Sequence, residues 1–249
     1  MSSNVYAFLL STIAGISTII GFLFIFIKRD REDIISKSLG FASGVMITIS
    51  IIDLIPNSLN LIITKYSFIH SLFVVLIGFL IGIISSSIVD QKIENNSKKQ
   101  SKLYKLGIIT MLVIMMHNIP EGIATFITST NNLKLGITLT VAIALHNIPE
   151  GISISIPIYY STSNKLKAFL YTLISGISEP LGAIIAYLFL SRVVGDVTLG
   201  IIYGVIAGMM INIGINELYK ESINYNKKNT FIYFIIGSII MILNHLLLG

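Results

Sequence analysis

Residues 107–151 read GIITMLVIMMHNIPEGIATFITSTNNLKLGITLTVAIALHNIPEG. Two apolar runs flank a short polar break at 129–134, and each run carries the hexapeptide HNIPEG, once at 117–122 and again at 146–151. About 20 apolar residues suffice to cross the hydrocarbon core of a bilayer as a helix. A helix also satisfies every backbone polar group internally, which lipid demands. The stretch therefore reads as two consecutive membrane helices with the same titratable cluster buried in each. Recurrence of six identical residues, five of them polar or helix-breaking, is not a chance of composition.

Outward from this pair, the rest of the chain has the same texture. Apolar runs lie near 5–27, 37–57, 67–89, 104–128, 133–160, 167–190, 197–220 and 229–248. They are continuous and far longer than barrel strands, so the many β-branched residues do not argue for sheet. The first run is too long for a signal-peptide core and lacks both a basic start and a small-residue cleavage motif. The 249 residues are 54% hydrophobic and only 12% charged, against about 25% charged in a soluble domain. Mean hydropathy is +0.86. A soluble fold cannot cover so much apolar surface with so few charges, and a chain without Cys is no disulfide-stapled module. The expected fold is an all-α membrane protein of eight transmembrane helices. It forms a single transmembrane domain over 1–249, multi-pass in the cell membrane, with a flexible cytoplasmic loop at 90–105.

The basic residues orient it. Lys28, Arg29, Arg31 and Lys37 follow the first run; Lys92, Lys98, Lys99, Lys102 and Lys105 follow the third. Lys165 and Lys167 follow the fifth, and Lys220, Lys227 and Lys228 the seventh. Only Lys65, Lys134 and Arg192 lie on the other side. By the positive-inside rule the odd-numbered loops are cytoplasmic and both termini face outward. The net charge of +5 is then a topology signal, and no nucleic-acid partner is expected.

A second, weaker repeat links residues 40–58 (GFASGVMITISIIDLIPNS) with 204–222 (GVIAGMMINIGINELYKES). At a shift of 164 it aligns Gly40, Gly44, Met46, Ile47, Ile49, Leu54 and Ser58 with identical residues and sets Asp53 opposite Glu217. These are spans two and seven, which run in opposite directions. A 3+2+3 arrangement follows, spans 1–3 inverted against 6–8 around a central pair, a pattern typical of secondary transporters. The Gly40/Gly44 spacing also suits helix packing, within one chain or across a homodimer.

Five of the twelve acidic residues fall inside these runs: Asp53, Glu121, Glu150, Glu179 and Glu217. Each ionised group at a helix centre costs about 2.5–3.5 kcal/mol, and no Lys or Arg lies mid-span to offset them. Protons or bound cations must. On a helix, His117 shares a face with Glu121, and Asn118 nearly does; His146, Asn147 and Glu150 repeat the spacing. Two such helices facing each other converge imidazole, carboxylate and amide oxygen, a mixed set suited to Zn²⁺, Fe²⁺ or Mn²⁺, while the lack of Cys argues against Cu(I). Pro120 and Pro149 free a backbone carbonyl each and are expected to kink the helices there. Glu179, beside Pro180, offers a third carboxylate; one or two ions could be held. Asp53 and Glu217 are read as path residues. His70 and His245, near span ends, are read as structural, and Met115 and Met116 as core.

At these residues the chain resembles the ZIP family of divalent metal transporters, particularly its bacterial zinc-transporting members. They carry His-Asn-x-Pro-Glu-Gly in the fourth and fifth spans and a motif matched here by SGISEP at 175–180. The resemblance covers the whole chain. It implies an importer, not an enzyme, moving Zn²⁺ as substrate, with iron, manganese, cobalt and cadmium as further candidates. It implies a binuclear site: one metal on His117, Glu121, His146 and Glu150; the other on Asn118, Glu121, Asn147, Glu150 and Glu179. It also implies alternating access, with spans 1, 4, 5 and 6 sliding against 2, 3, 7 and 8. One departure stands out, since 90–105 contains no His where many relatives have a His-rich loop. An ATP-driven pump is excluded by the missing GxxxxGK[ST]. The remaining alternatives are an intramembrane metalloenzyme, disfavoured by the missing HExxH, and an exporter.

Overall fold

In the computed structural model, residues 3–96, 101–190 and 195–248 are described; Lys98, Lys99 and Arg192 of the charge count lie outside them. The apolar runs fold into eight helices long and apolar enough to cross a membrane. They are α1 (Ser3–Phe26), α2 (Arg31–Ile63), α3 (Phe68–Asn96), α4 (Lys102–Asn131), α5 (Leu133–Thr162), α6 (Lys165–Phe189), α7 (Asp196–Tyr225) and α8 (Lys227–Leu248). Side chains cap several ends: Ser101 accepts from the Tyr104 amide, Asn132 from Leu135 and Asn164 from Lys167.

Helix ends depart from the apolar runs in an instructive way. The expected loop at 90–105 is mostly helix, because α3 continues through Asn96 and α4 starts at Lys102. Gln91, Lys92, Glu94 and their neighbours are adequate helix formers, and a helix has no reason to stop where lipid does. Helices α2 and α7 also overrun the expected edges, taking in Asp33, Asn60 and Glu221.

Two bundles result. Helices α1, α4, α5 and α6 pack on one another, and α2, α3, α7 and α8 form the other group; α2 against α5 and α7 against α4 join them. Glycines permit the closest crossings. A Cβ on Gly44 would lie 2.1 Å from the Phe234 carbonyl oxygen, and one on Gly208 2.0 Å from that of Phe79. The second bundle is built twice over. The Ser58 hydroxyl donates to Gly200 O at 2.6 Å and the Ser222 hydroxyl to Ser36 O at 2.7 Å. Each partner is displaced by the same 164 residues. Helix α2 contains a π-helical stretch at Ser50–Leu54, and α7 one at Ile213–Tyr219, again in register under that shift.

Where the bundles meet, Leu106, Ile109, Val113, Ile152 and Ile156 interlock with Met46, Ile49, Met210 and Ile213 in a buried apolar cluster. It occupies the half of the interface nearer the basic-loop face.

Candidate metal centre

The two HNIPEG segments lie on α4 and α5, whose helical runs are unbroken through Pro120 and Pro149. Gly122 and Gly151 set the spacing. A Cβ on Gly122 would fall 1.8 Å from Glu179 O of α6, and one on Gly151 1.9 Å from Thr18 O of α1. Only a residue without Cβ lets these backbones touch, and the touching backbones bring the polar side chains into one buried volume.

Within that volume His117 Nε2 and His146 Nε2 each lie 3.0 Å from Glu121 Oε1, and Glu150 Oε1 is 3.7 Å from His117 Nε2. Ligand atoms of His117, Glu121 and His146 all fall within 4.8 Å of one another. The imidazoles and carboxylates expected to converge therefore do. Glu179 and Asn147 sit together beside them, with Asn147 Nδ2 donating to Glu179 Oε2 and to Ala14 O, both at 2.9 Å. Asn118 Nδ2 donates to Ser175 O at 3.2 Å. Both amides thus spend their N–H groups on neighbouring helices, leaving their oxygens as donors of electron pairs.

All seven side chains are buried, Glu179 fully so. Among the described residues no Lys or Arg is buried. Many polar atoms here lack a hydrogen-bond partner: His117 Nδ1 and Nε2, His146 Nδ1, Asn118 Oδ1, Asn147 Oδ1, Glu121 Oε2, Glu179 Oε1 and both oxygens of Glu150. More than nine in ten buried polar groups are normally satisfied. A concentration of unsatisfied lone pairs among three carboxylates, with no basic side chain near, is the chemistry of a cation site.

The path residues separate. Asp53 lines a cavity of about 110 Å³ that also touches Glu121 and His146 and is bounded by Asn57, Asn244, His245 and Leu248. It runs from the face of the chain termini to the centre. Glu217 lines a different cavity, of about 390 Å³, on the basic-loop face, with Asp90, Asn216, Lys102 and Lys220. The apolar cluster described above lies between that cavity and the centre.

Two readings of single residues change, and a third residue, Glu221, enters for the first time. His245, expected to be structural, lines the first cavity with its Nδ1 3.8 Å from Asp53 Oδ1. Its position near the chain end gave no periodic signal to find it by. Met116, expected in the core, is half exposed on the outside of its bundle, because the face of α4 turned inward is the one bearing His117 and Glu121. Glu221, just past the expected end of span seven, is buried and paired with Lys102 Nζ at 2.7 Å. His70 bonds the Ser67 hydroxyl at the exposed start of α3, as a structural histidine would.

Fold and centre together define an integral membrane protein built around a buried cluster of side chains of the kind that could hold a metal ion. The model of the ZIP zinc transporter family matches residues 84–245. The chain is 37% identical over 262 residues to the zinc transporter ZupT of Streptococcus mutans, covering 100% of this chain and 99% of that one. It is 35% identical over 277 residues to the ZupT of Clostridium perfringens, covering 100% and 97%. Against that of Campylobacter jejuni it is 40% identical over 280 residues, covering 98% and 96%. The chain belongs to the ZIP zinc transporter family, whose members are transporters and not enzymes.

Proposed function

We propose that this protein imports Zn²⁺ across the cell membrane, with both termini outside and the basic loops in the cytoplasm. The carrying observation is the convergence of His117, Glu121, His146 and Glu150 in a buried volume without a basic counter-charge. The name of each relative cited above, a zinc transporter, supports zinc as substrate. The mixed nitrogen and oxygen set also accommodates Fe²⁺, Mn²⁺, Co²⁺ and Cd²⁺.

The site is binuclear in this reading. One ion takes His117, His146, Glu121 and Glu150; a second takes Asn118, Asn147 and Glu179, with Glu121 and Glu150 bridging. The unpartnered Asn118 Oδ1, Asn147 Oδ1 and Glu179 Oε1 support the second position. Transport is by alternating access. The cavity containing Asp53 delivers the ion to Glu121 and His146, while the apolar cluster closes the cytoplasmic side. Movement of α1, α4, α5 and α6 as a body against α2, α3, α7 and α8 then exposes the ion to the Glu217 cavity. The reciprocal Ser58–Gly200 and Ser222–Ser36 bonds support an inverted repeat, the arrangement that lets one fold present either side. The membrane potential assists, at about 2.3 kcal/mol per charge per 100 mV.

The test is uptake of radioactive zinc into proteoliposomes holding the purified protein. Glu121→Gln and Glu150→Gln should each abolish uptake and zinc binding. Uptake at the unmodified rate in the double variant would overturn the assignment. Competition by the other four ions ranks substrates in the same assay.

A further inference from the structure

A crevice of about 320 Å³ opens at the basic-loop end of the molecule, between the last turn of α1, the first turns of α2 and the side of α8, with α5 as its floor. That volume lies within the roughly 300–1,000 Å³ typical of ligand sites. Its walls are apolar: Phe24, Ile27, Ile34, Phe41, Ile152 and Ile236. Its rim is cationic, with Arg29 and Lys37 the only basic residues lining it. The one acidic residue there, Asp33, is paired with Lys37, so the net positive charge of the rim is that of Arg29. Lys37 Nζ bonds its Oδ2 at 2.7 Å, and Asn229 Nδ2 donates to its Oδ1 at 2.7 Å. Lys37 also lies over the Tyr233 ring, 5.5 Å from its centroid, which closes the rim over the apolar pocket.

The crevice thus pairs a greasy slot with a positive mouth at the depth where α1 leaves the bilayer and Lys28 and Arg29 begin. We infer that it seats one anionic phospholipid, an acyl chain in the slot and the phosphate at Arg29. The choice of an anionic lipid rests on charge: a zwitterionic headgroup brings a cation of its own to a mouth that is already positive. The crevice also straddles the two bundles, since Phe24, Ile27 and Ile152 belong to one and Ile34, Phe41 and Ile236 to the other. A lipid seated there touches both.

The chain has no Trp, so a single introduced Trp reports locally. Phe24→Trp in the crevice is compared with Ile88→Trp, an exposed apolar position near the same end of α3. Each full-length variant is reconstituted in mixed bilayers holding a small fraction of brominated phosphatidylglycerol or brominated phosphatidylcholine, and quenching is titrated. One basic residue near an anionic headgroup contributes about 1 kcal/mol, a factor of about five. Half-quenching at Phe24→Trp should need about fivefold less brominated phosphatidylglycerol than phosphatidylcholine, with no preference at Ile88→Trp. Adding Arg29→Gln, an exposed change that leaves the core intact, should erase the preference. Equal quenching by both lipids at Phe24→Trp, an equal preference at Ile88→Trp, or a preference surviving Arg29→Gln would overturn the inference. No outcome depends on transport.

Discussion

At the scale of single residues, the centre depends as much on absent atoms as on present ones. Gly122 and Gly151 carry no chemistry, yet a methyl group on either would collide with a backbone oxygen at under 2 Å. Backbone cannot move aside as a flexible side chain can. Gly122→Ala should therefore destabilise the protein by about 1–3 kcal/mol, the usual range for overpacking. Thermal unfolding in detergent measures this, with Gly195→Ala as control, since its added Cβ meets only Lys65 Nζ at 3.8 Å. An equal melting temperature for both variants would contradict the close-contact argument. The second residue-scale prediction concerns His245. It faces Asp53 across the cavity that leads to Glu121, so it contributes to drawing the ion in rather than to holding it. His245→Ala should raise the zinc concentration for half-maximal uptake roughly threefold, within the ~1 kcal/mol of a half-exposed polar contact, and leave the maximal rate nearly unchanged. His70→Ala should change neither. Sequence periodicity separated His117 and His146 from these two histidines because each has a carboxylate four residues on. It could not distinguish His245 from His70, since what differs between them is a neighbour on another helix.

At the scale of elements, apolar runs located all eight helices, because lipid leaves no alternative backbone structure. Their ends were less legible. Helices α2, α3 and α7 run on into polar sequence, where hydropathy falls but helix propensity does not. That overrun has a consequence. The last turns of α7 bring Glu221 against Lys102 at the start of α4, and Arg31 at the start of α2 donates to Tyr160 O near the end of α5 at 3.2 Å. Both contacts join one bundle to the other at the basic-loop face, beneath the apolar cluster. If the bundles slide, these contacts break. Lys102→Met keeps the length of the side chain and removes its charge, so it should favour the conformation open to that face. An ion pair whose lysine stands in solvent contributes up to about 1 kcal/mol, a shift of about fivefold in population. The chain lacks Cys, so Val113→Cys, in the apolar cluster, can be followed without background. A permeant thiol reagent should label it up to about fivefold faster in the Lys102→Met background. An unchanged rate would mean that the pair does not clamp the bundles.

For the whole molecule, the two-fold arrangement raises the question of what chooses its direction in the membrane. Helices α2 and α7 exchange equivalent bonds, Ser58 with Gly200 and Ser222 with Ser36, and their π-helical stretches coincide under the same shift. Turned over, such a bundle would present nearly the same packing, so internal contacts do not select a side. The asymmetry is in the charges. Of 17 Lys and Arg residues, 14 fall on one set of loops, and positive residues near helix ends are retained in the cytoplasm during insertion. The segregation that marks the sequence as a membrane protein therefore also predicts on which side the cavity that reaches Glu121 and His146 opens, the face poor in basic residues. Single cysteines test this directly. Asn131→Cys lies at the α4–α5 turn on the face of the termini, and Ser163→Cys at the α5–α6 turn on the basic face; both positions are exposed. In intact cells an impermeant thiol reagent should label the first and spare the second until the membrane is opened. The reverse pattern would place the Asp53 cavity in the cytoplasm and overturn the orientation proposed for the importer.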